Sequence, residues 1–355
     1  DLIRTEHSGG ISVTDHGTRL AETAQAIVAP GKGILAADES SPTIKKRFDT
    51  INVESTEENR RSYRELLFTT DGMNEFIGGV ILFDETLRQS DTDGTPLAKV
   101  LANAGVVPGI KVDKGAKALA NGDGEKVTEG LDGLRERLKE YYDLGARFTK
   151  WRAVITIGNG IPSDYCIKAN AWALGRFAAL SVEQGLVPVV EPEVLMDGGH
   201  DIDTCFGVTE HTLHHVYRAL HDQRVPLEQT LLKPNMVLSA KDCPTQASAQ
   251  EIAEKTIKCL KNTVPSSVPG IVFLSGGQTE LEATVNLNAM NQIGGFPWQL
   301  SFSYGRALQA ATLQAWAGET ANVEAAKKAF YHRARMNSLA RFGTYQESME
   351  QEAAA

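Results

Sequence analysis

The 355-residue chain carries a formal net charge of -9 and a pI near 5.5. That balance argues against nucleic acid and anionic membranes as main partners. No apolar run approaches the ~20 residues needed to span a bilayer. Four cysteines, Cys166, Cys205, Cys243 and Cys259, are scattered without CxxC spacing and read as reduced thiols in an intracellular protein.

Short apolar runs punctuate the chain. They are Gly33–Asp38, Gly79–Asp84, Val107–Asp113, Phe148–Val154, Val187–Glu193, Leu231–Asn235, Gly270–Ser275 and Trp298–Ser303. Each is rich in Val, Ile, Leu or Phe, as a buried parallel strand should be. Their starts lie mostly about 30 to 45 residues apart, room for a loop, a helix and a return loop. Helical patterns with charged faces fill the gaps, such as Gly130–Tyr142 and Ser248–Lys261. The expected fold is a (β/α)8 TIM barrel with extra terminal helices. A doubly wound sheet would place a glycine-rich turn after its first strand. Here Asp38-Glu39-Ser40-Ser41-Pro42 follows instead. No linker divides the chain, so one barrel domain is expected over 21–345. An N-terminal extension over 1–20 and a mobile tail over 346–355 flank it.

In a barrel the active site lies at the C-terminal ends of the strands. The charged residues fall there: Asp38, Asp84, Lys111, Asp113, Lys150, Arg152, Glu191, Glu193 and Lys233. Charges are costly to bury unless paired or functional, and perturbed charges cluster at functional sites. Strand side chains alternate faces, so Lys150 shares a face with Arg152, and Glu191 with Glu193. Both pairs are expected to point inward and upward into the mouth. A lysine in a dry mouth beside a second cation has a lowered pKa and an available neutral amine. Such an amine attacks a carbonyl to form an imine, an electron sink for a neighbouring carbanion. The fourth, fifth and sixth runs would supply cation, carboxylate and nucleophile side by side. Glu191 or Glu193 would move the carbinolamine protons. Asp38 is placed to remove the β-hydroxyl proton for carbon–carbon cleavage.

Two further clusters suit an elongated bisphosphate. Ser275-Gly276-Gly277-Gln278 and Ser303-Tyr304-Gly305-Arg306 follow the last two runs, the usual phosphate site of such barrels. Glycines let backbone N–H groups approach an anion, and Arg306 can bind it with two parallel hydrogen bonds. Lys46-Arg47, near Lys111 and Arg152, would meet a phosphate at the far end. His211, His214 and His215 cluster in the helical stretch Thr209–Leu220. No acid lies between His211 and His215 as in HExxH, so a surface helix is expected there rather than a metal site.

Gly31–Ser40, Gly109–Gly115, Lys150-Trp151-Arg152, Val190–Glu193, Leu231–Asn235, Phe273–Gln278 and Phe302–Gln309 resemble class I fructose-1,6-bisphosphate aldolase, from about Ala21 to about Tyr345. The resemblance implies reversible, metal-free cleavage of fructose 1,6-bisphosphate to dihydroxyacetone phosphate and glyceraldehyde 3-phosphate, with no cofactor. It makes Lys233 the Schiff-base lysine, Glu191 the acid/base of imine formation and Asp38 the cleavage base. Lys150 and Glu193 would support them. Ser275, Gly276, Gly277, Ser303, Gly305 and Arg306 would hold the ketone-side phosphate. Arg47, Lys111 and Arg152 would lie toward the other.

The resemblance also implies a homotetramer. A cytoplasmic location is expected, or an organelle such as a plastid if a targeting peptide has been removed. Ser41-Pro42-Thr43 stands where many members have a Gly-Ser pair, and Thr43 keeps the hydroxyl. Members commonly end in a tyrosine that protonates the enamine, whereas this sequence reads Gln351–Ala355 after Tyr345. The 355-residue form is therefore expected to protonate the enamine slowly. Alternatives are a sedoheptulose-1,7-bisphosphate aldolase, a transaldolase-like enzyme and a non-enzymatic scaffold.

Overall fold

The computed structural model describes residues 13–354. Eight strands close into a barrel: β1 Gly33–Ala37, β2 Ile77–Leu82, β3 Val107–Lys111, β6 Phe148–Ile155, β7 Val187–Val194, β8 Leu231–Leu232, β9 Gly270–Phe273 and β10 Gln299–Tyr304. All neighbours run parallel in the order β1-β10-β9-β8-β7-β6-β3-β2. A small antiparallel hairpin, β4 Ala116–Ala118 with β5 Lys126–Thr128, stands outside the barrel, where the sequence suggested no element. The helices are α1 Val13–Ile27, α2 Ser41–Asp49, α3 Glu57–Phe68, α4 Asp84–Leu87, α5 Leu97–Asn103, α6 Leu134–Asp143, α7 Asp164–Glu183, α8 Ile202–Asp222, α9 Ala249–Thr263, α10 Glu280–Ile293, α11 Arg306–Trp316 and α12 Val323–Arg341.

Strand ends differ from the apolar runs for local reasons. The sixth run was expected to reach Asn235, but β8 stops at Leu232, shortly before Pro234, which has no N–H to continue a ladder. The second run was expected to carry Asp84 into the mouth. Instead β2 ends at Leu82, and Asp84 opens α4. There Asp84 accepts hydrogen bonds from Tyr141 and Arg88 and lies off the cavity.

The lower half of the barrel is filled. Ile34, Ala36, Ile81, Phe148, Val187, Val189, Leu231 and Val272 form one buried cluster with Leu20, Ala24 and Ile27 of α1 and the adjacent Val28. Helix α1 is therefore a plug. It packs so closely that a β-carbon on Gly78 would lie 2.2 Å from the Ile27 carbonyl oxygen. Inside the barrel Phe148 lies flat against Gly109, where a β-carbon would meet the ring at 2.3 Å. Any side chain at Gly109 would force Phe148 out of the floor.

Strand alternation carries this inward face upward. Two-residue steps lead from Ala36 to Asp38, from Phe148 to Lys150 and Arg152, from Val189 to Glu191 and Glu193, and from Leu231 to Lys233. The apolar floor thus fixes which residues face the mouth.

The expected domain edges fall on structured segments. Position 20 lies within the plug helix. The segment expected as a tail begins as a 3-10 helix over Glu347–Ala354. Glu350 accepts hydrogen bonds from Arg333 at 2.5 Å and from Tyr345 at 2.8 Å. Residues 1–12, part of the expected N-terminal extension, and Ala355 lie outside the described residues. Cys166, Cys205, Cys243 and Cys259 are free and buried.

Candidate active site

The mouth opens into a cavity of about 950 Å3. It is lined by every residue given a catalytic or phosphate-binding role from sequence: Asp38, Arg47, Lys111, Lys150, Arg152, Glu191, Glu193, Lys233, Ser275, Gly276, Gly277, Ser303, Gly305 and Arg306. Lys46 lines it as well, whereas Asp113 does not. Asp113 instead accepts the backbone N–H of Arg152 at 3.2 Å and stands 3.9 Å from Lys111 Nζ.

At the cavity base four buried charges form a chain. Asp38 Oδ2 lies 2.6 Å from Lys150 Nζ, which lies 3.1 Å from Glu191 Oε2. The other Glu191 oxygen is 3.3 Å from Lys233 Nζ. Lys150, Glu191 and Lys233 are each less than 5% exposed, so water screens these contacts little. The backbone N–H of Lys233 donates to Val190 at 2.8 Å, which holds its Cα beside the Glu191 strand.

The two lysines shift in opposite directions. Burial disfavours the charged form of both. For Lys150, Asp38 and Glu191 outweigh burial, and its pKa rises. For Lys233, burial dominates, Lys150 adds like-charge repulsion, and Glu191 compensates only in part, so its pKa falls. Asp38 and Glu191 are also desolvated, but neighbouring lysines outweigh burial and hold both carboxyls below their usual range. The result is one lysine kept as an ammonium, one biased toward the free amine, and two ionised carboxylates within hydrogen-bond reach. That is the arrangement imine chemistry requires.

Glu193 is bound by Arg152 at 2.5 Å, a contact at the more open edge of the cavity. Opposite, the loops after β9 and β10 converge. Gly276 and Gly277 have positive φ of 33° and 85°, conformations that glycine adopts without strain. The Ser303 hydroxyl is 1% exposed and has no hydrogen-bond partner in the protein. Arg306 opens α11, whose N-terminus carries no side-chain cap. Free backbone N–H groups, an unpartnered hydroxyl and a guanidinium make an anion cradle.

Arg47 occupies a different place from the one expected. Its Nη2 is 3.5 Å from where a β-carbon on Gly305 would lie, so it stands beside the β10 loop. It is tied by a 2.6 Å ion pair to Glu39. Glu39 is 7% exposed and also accepts from Gln309 at 2.9 Å, while its carbonyl accepts from buried Arg64 at 2.7 Å. The sequence reading did not assign Glu39 a role. Its signal was an acid on the outward face of a buried strand end, a position that demands a cation.

Helix α8 carries His211, His214 and His215 on its exposed side, away from the cavity. Tyr345 is buried and also does not line the cavity.

Known proteins are similar throughout. The family model for class-I fructose-bisphosphate aldolase matches residues 19–355. A probable fructose-bisphosphate aldolase class 1 of Xanthomonas campestris is 61% identical, covering 92% of this chain and 98% of its own length. The cytosolic fructose-bisphosphate aldolase 4 of Arabidopsis thaliana is 56% identical, covering 92% of this chain and 83% of its own. The solved aldolase of Plasmodium falciparum, crystallised with TRAP and an inhibitor, superposes with a TM-score of 0.92 at 52% identity over 94% of this chain and 96% of that one. A parallel barrel with a buried lysine pair in its mouth, and sequence identity over nearly its whole length, agree that this chain belongs to the class-I fructose-bisphosphate aldolase family.

Proposed function

We propose that Lys233, Glu191, Lys150 and Asp38 carry the reaction of this family in this chain. The reaction is the reversible cleavage of fructose 1,6-bisphosphate to dihydroxyacetone phosphate and glyceraldehyde 3-phosphate. The enzyme is a lyase that works through a lysine Schiff base. The observation that carries the assignment is the geometry of two buried lysines on one carboxylate, Glu191, which lies 3.1 Å from Lys150 and 3.3 Å from Lys233.

The neutral Lys233 amine attacks the ketone carbon. The Lys150 ammonium protonates the alkoxide that forms, and Glu191, 3.3 Å from Lys233, takes the ammonium proton and returns it to the carbinolamine hydroxyl, which leaves as water. The iminium then draws electrons as the carbon–carbon bond breaks. Asp38 accepts the hydroxyl proton of the departing aldehyde half. Its low pKa keeps it ionised but makes it a weak base, so Lys150, neutral once it has given its proton to the alkoxide, is proposed to take the hydroxyl proton on from Asp38 across their 2.6 Å contact and become an ammonium again. Glu193 holds Arg152 at the mouth.

Trapping tests the nucleophile. Borohydride with dihydroxyacetone phosphate should inactivate the enzyme irreversibly and add mass at Lys233, and EDTA should not protect it. Because the Lys233 pKa is lowered, its neutral fraction persists to lower pH than that of an ordinary lysine, and trapping should slow only as pH falls below that range. A label on Lys111 or Lys150 with Lys233 free would overturn the assignment.

The anion cradle is proposed to hold the ketone-side phosphate. Arg306→Ala should weaken any ketose 1-phosphate by about tenfold or more, from a charge-assisted hydrogen bond of roughly 1.5 to 3 kcal/mol. Arg47, beside Gly305, is proposed to act on the same phosphate, so Arg47→Ala should weaken fructose 1-phosphate as well as the bisphosphate. Lys111→Ala should weaken the bisphosphate selectively. Equal losses for both substrates in Lys111→Ala would remove Lys111 from the second phosphate site. The same assay with sedoheptulose 1,7-bisphosphate sets the substrate preference.

No helix among the described residues is long and apolar enough to cross a membrane. A cytoplasmic homotetramer is proposed from family likeness, and light scattering tests the assembly.

A further inference from the structure

We propose that Asp164, His211 and His215 form a surface binding site for a borderline divalent cation, with Zn2+ as the reference ion. Among the described residues they are the one group of three metal-ligating side chains whose ligand atoms all lie within 4.8 Å of one another. None lines the substrate cavity.

Two elements build the site. His211 and His215 are one turn apart on α8 and face the same way. Their rings meet edge to face with centroids 4.7 Å apart. The acid comes from the start of the neighbouring helix α7, where Asp164 Oδ1 lies 2.7 Å from His211 Nε2. That carboxylate is set in place. Its predecessor Ser163 caps α7 by accepting from the Cys166 N–H at 3.1 Å. Ser163 is itself fixed by buried Glu125, which accepts its N–H at 2.8 Å and its hydroxyl at 2.5 Å. Lys168 holds Asp164 Oδ2 at 3.0 Å and so leaves Oδ1 directed at the imidazoles.

Two imidazoles and one carboxylate are a donor set that zinc accepts, with water completing the coordination. Ligand atoms around a tetrahedral zinc stand about 3.3 Å apart, given bonds of roughly 2.0–2.1 Å. His211 and Asp164 would move slightly apart and His215 slightly inward. All three side chains have room to adjust, since Asp164 and His211 are exposed and His215 is partly so. A bound ion would take the place of the His211–Asp164 contact. An ion here would staple α7 to α8, the helices that follow the Lys150 strand and the Glu191 strand.

The test is titration of the full 355-residue chain with Zn2+ against a chromophoric chelator at neutral pH. The wild type should take up one equivalent that His211→Ala, His215→Ala and Asp164→Ala each lose. The loss should exceed the roughly 10- to 100-fold that removal of an outer partner costs a metal site. His214→Ala, one residue away on the same helix, should bind as the wild type does. Co2+ in place of zinc should give a visible ligand-field band that disappears with the same three substitutions. All variants should keep wild-type cleavage rates, because the site is remote from the cavity. No uptake by the wild type, or equal uptake by the wild type and all three variants, overturns the proposal. The former would leave an Asp164–His211 ion pair and nothing more.

Discussion

Lys233→Met is expected to abolish cleavage while leaving the barrel folded. The substitution removes the amine that forms the covalent link but keeps an apolar stem in a nearly dry site. A desolvated amine repelled by Lys150 contributes little to stability, so the melting temperature should change only modestly. The rate loss should exceed the roughly 100- to 10,000-fold that a single acid–base group typically contributes, because no imine can form. Borohydride with dihydroxyacetone phosphate should then add no mass anywhere in the cavity. Retained trapping at Lys150, with measurable turnover, would show that the neighbouring lysine is the nucleophile.

Glu191→Gln is expected to slow imine formation and release by about 100- to 10,000-fold, with substrate affinity largely kept. The carboxylate stands 3.1 Å from one lysine and 3.3 Å from the other. Gln can hydrogen-bond there but can neither accept nor return a proton. Without that negative charge the pKa of Lys150 should also fall, since Glu191 is, with Asp38 and Asp113, one of the three carboxylates that raise it. Single-turnover trapping separates the effects: the bound fraction should stay near wild type and the rate of imine formation should drop. Wild-type trapping kinetics would remove Glu191 from the mechanism.

The core of the site was legible because strand geometry is local. A run such as Val187–Glu193 names its own inward face, and Val189 and Glu191 differ by one pleat repeat. The same step links Leu231 to Lys233 and Phe148 to Lys150. What the chain does not write locally is pairing across space. Glu39 finds Arg47 and Arg64 only after α2 and α3 have packed. Asp164 meets His211 across 47 residues, a pairing that spacing along one helix does not show. Asp84 was misplaced because an apolar run does not reveal where a strand yields to a helix. Arg47 shows another limit. Position 47 on α2 follows from sequence, but the reach of its guanidinium to Gly305 depends on how that helix seats.

The plug helix and the apolar floor close the lower half of the barrel among the described residues, and the cavity opens at the mouth. Substrate, both products and the water of hydrolysis must use the same opening. With Lys233 as the proposed nucleophile, the ketone half is tethered deep in the cavity, while the aldehyde half is bonded to nothing after cleavage. Departure is therefore sequential: the aldehyde leaves first, and the ketone waits for its tether to be hydrolysed. In the synthetic direction the order inverts, and an aldehyde that arrives before the ketone blocks the path to the amine. The covalent tether thus sets an order of traffic that neither product's affinity would set by itself.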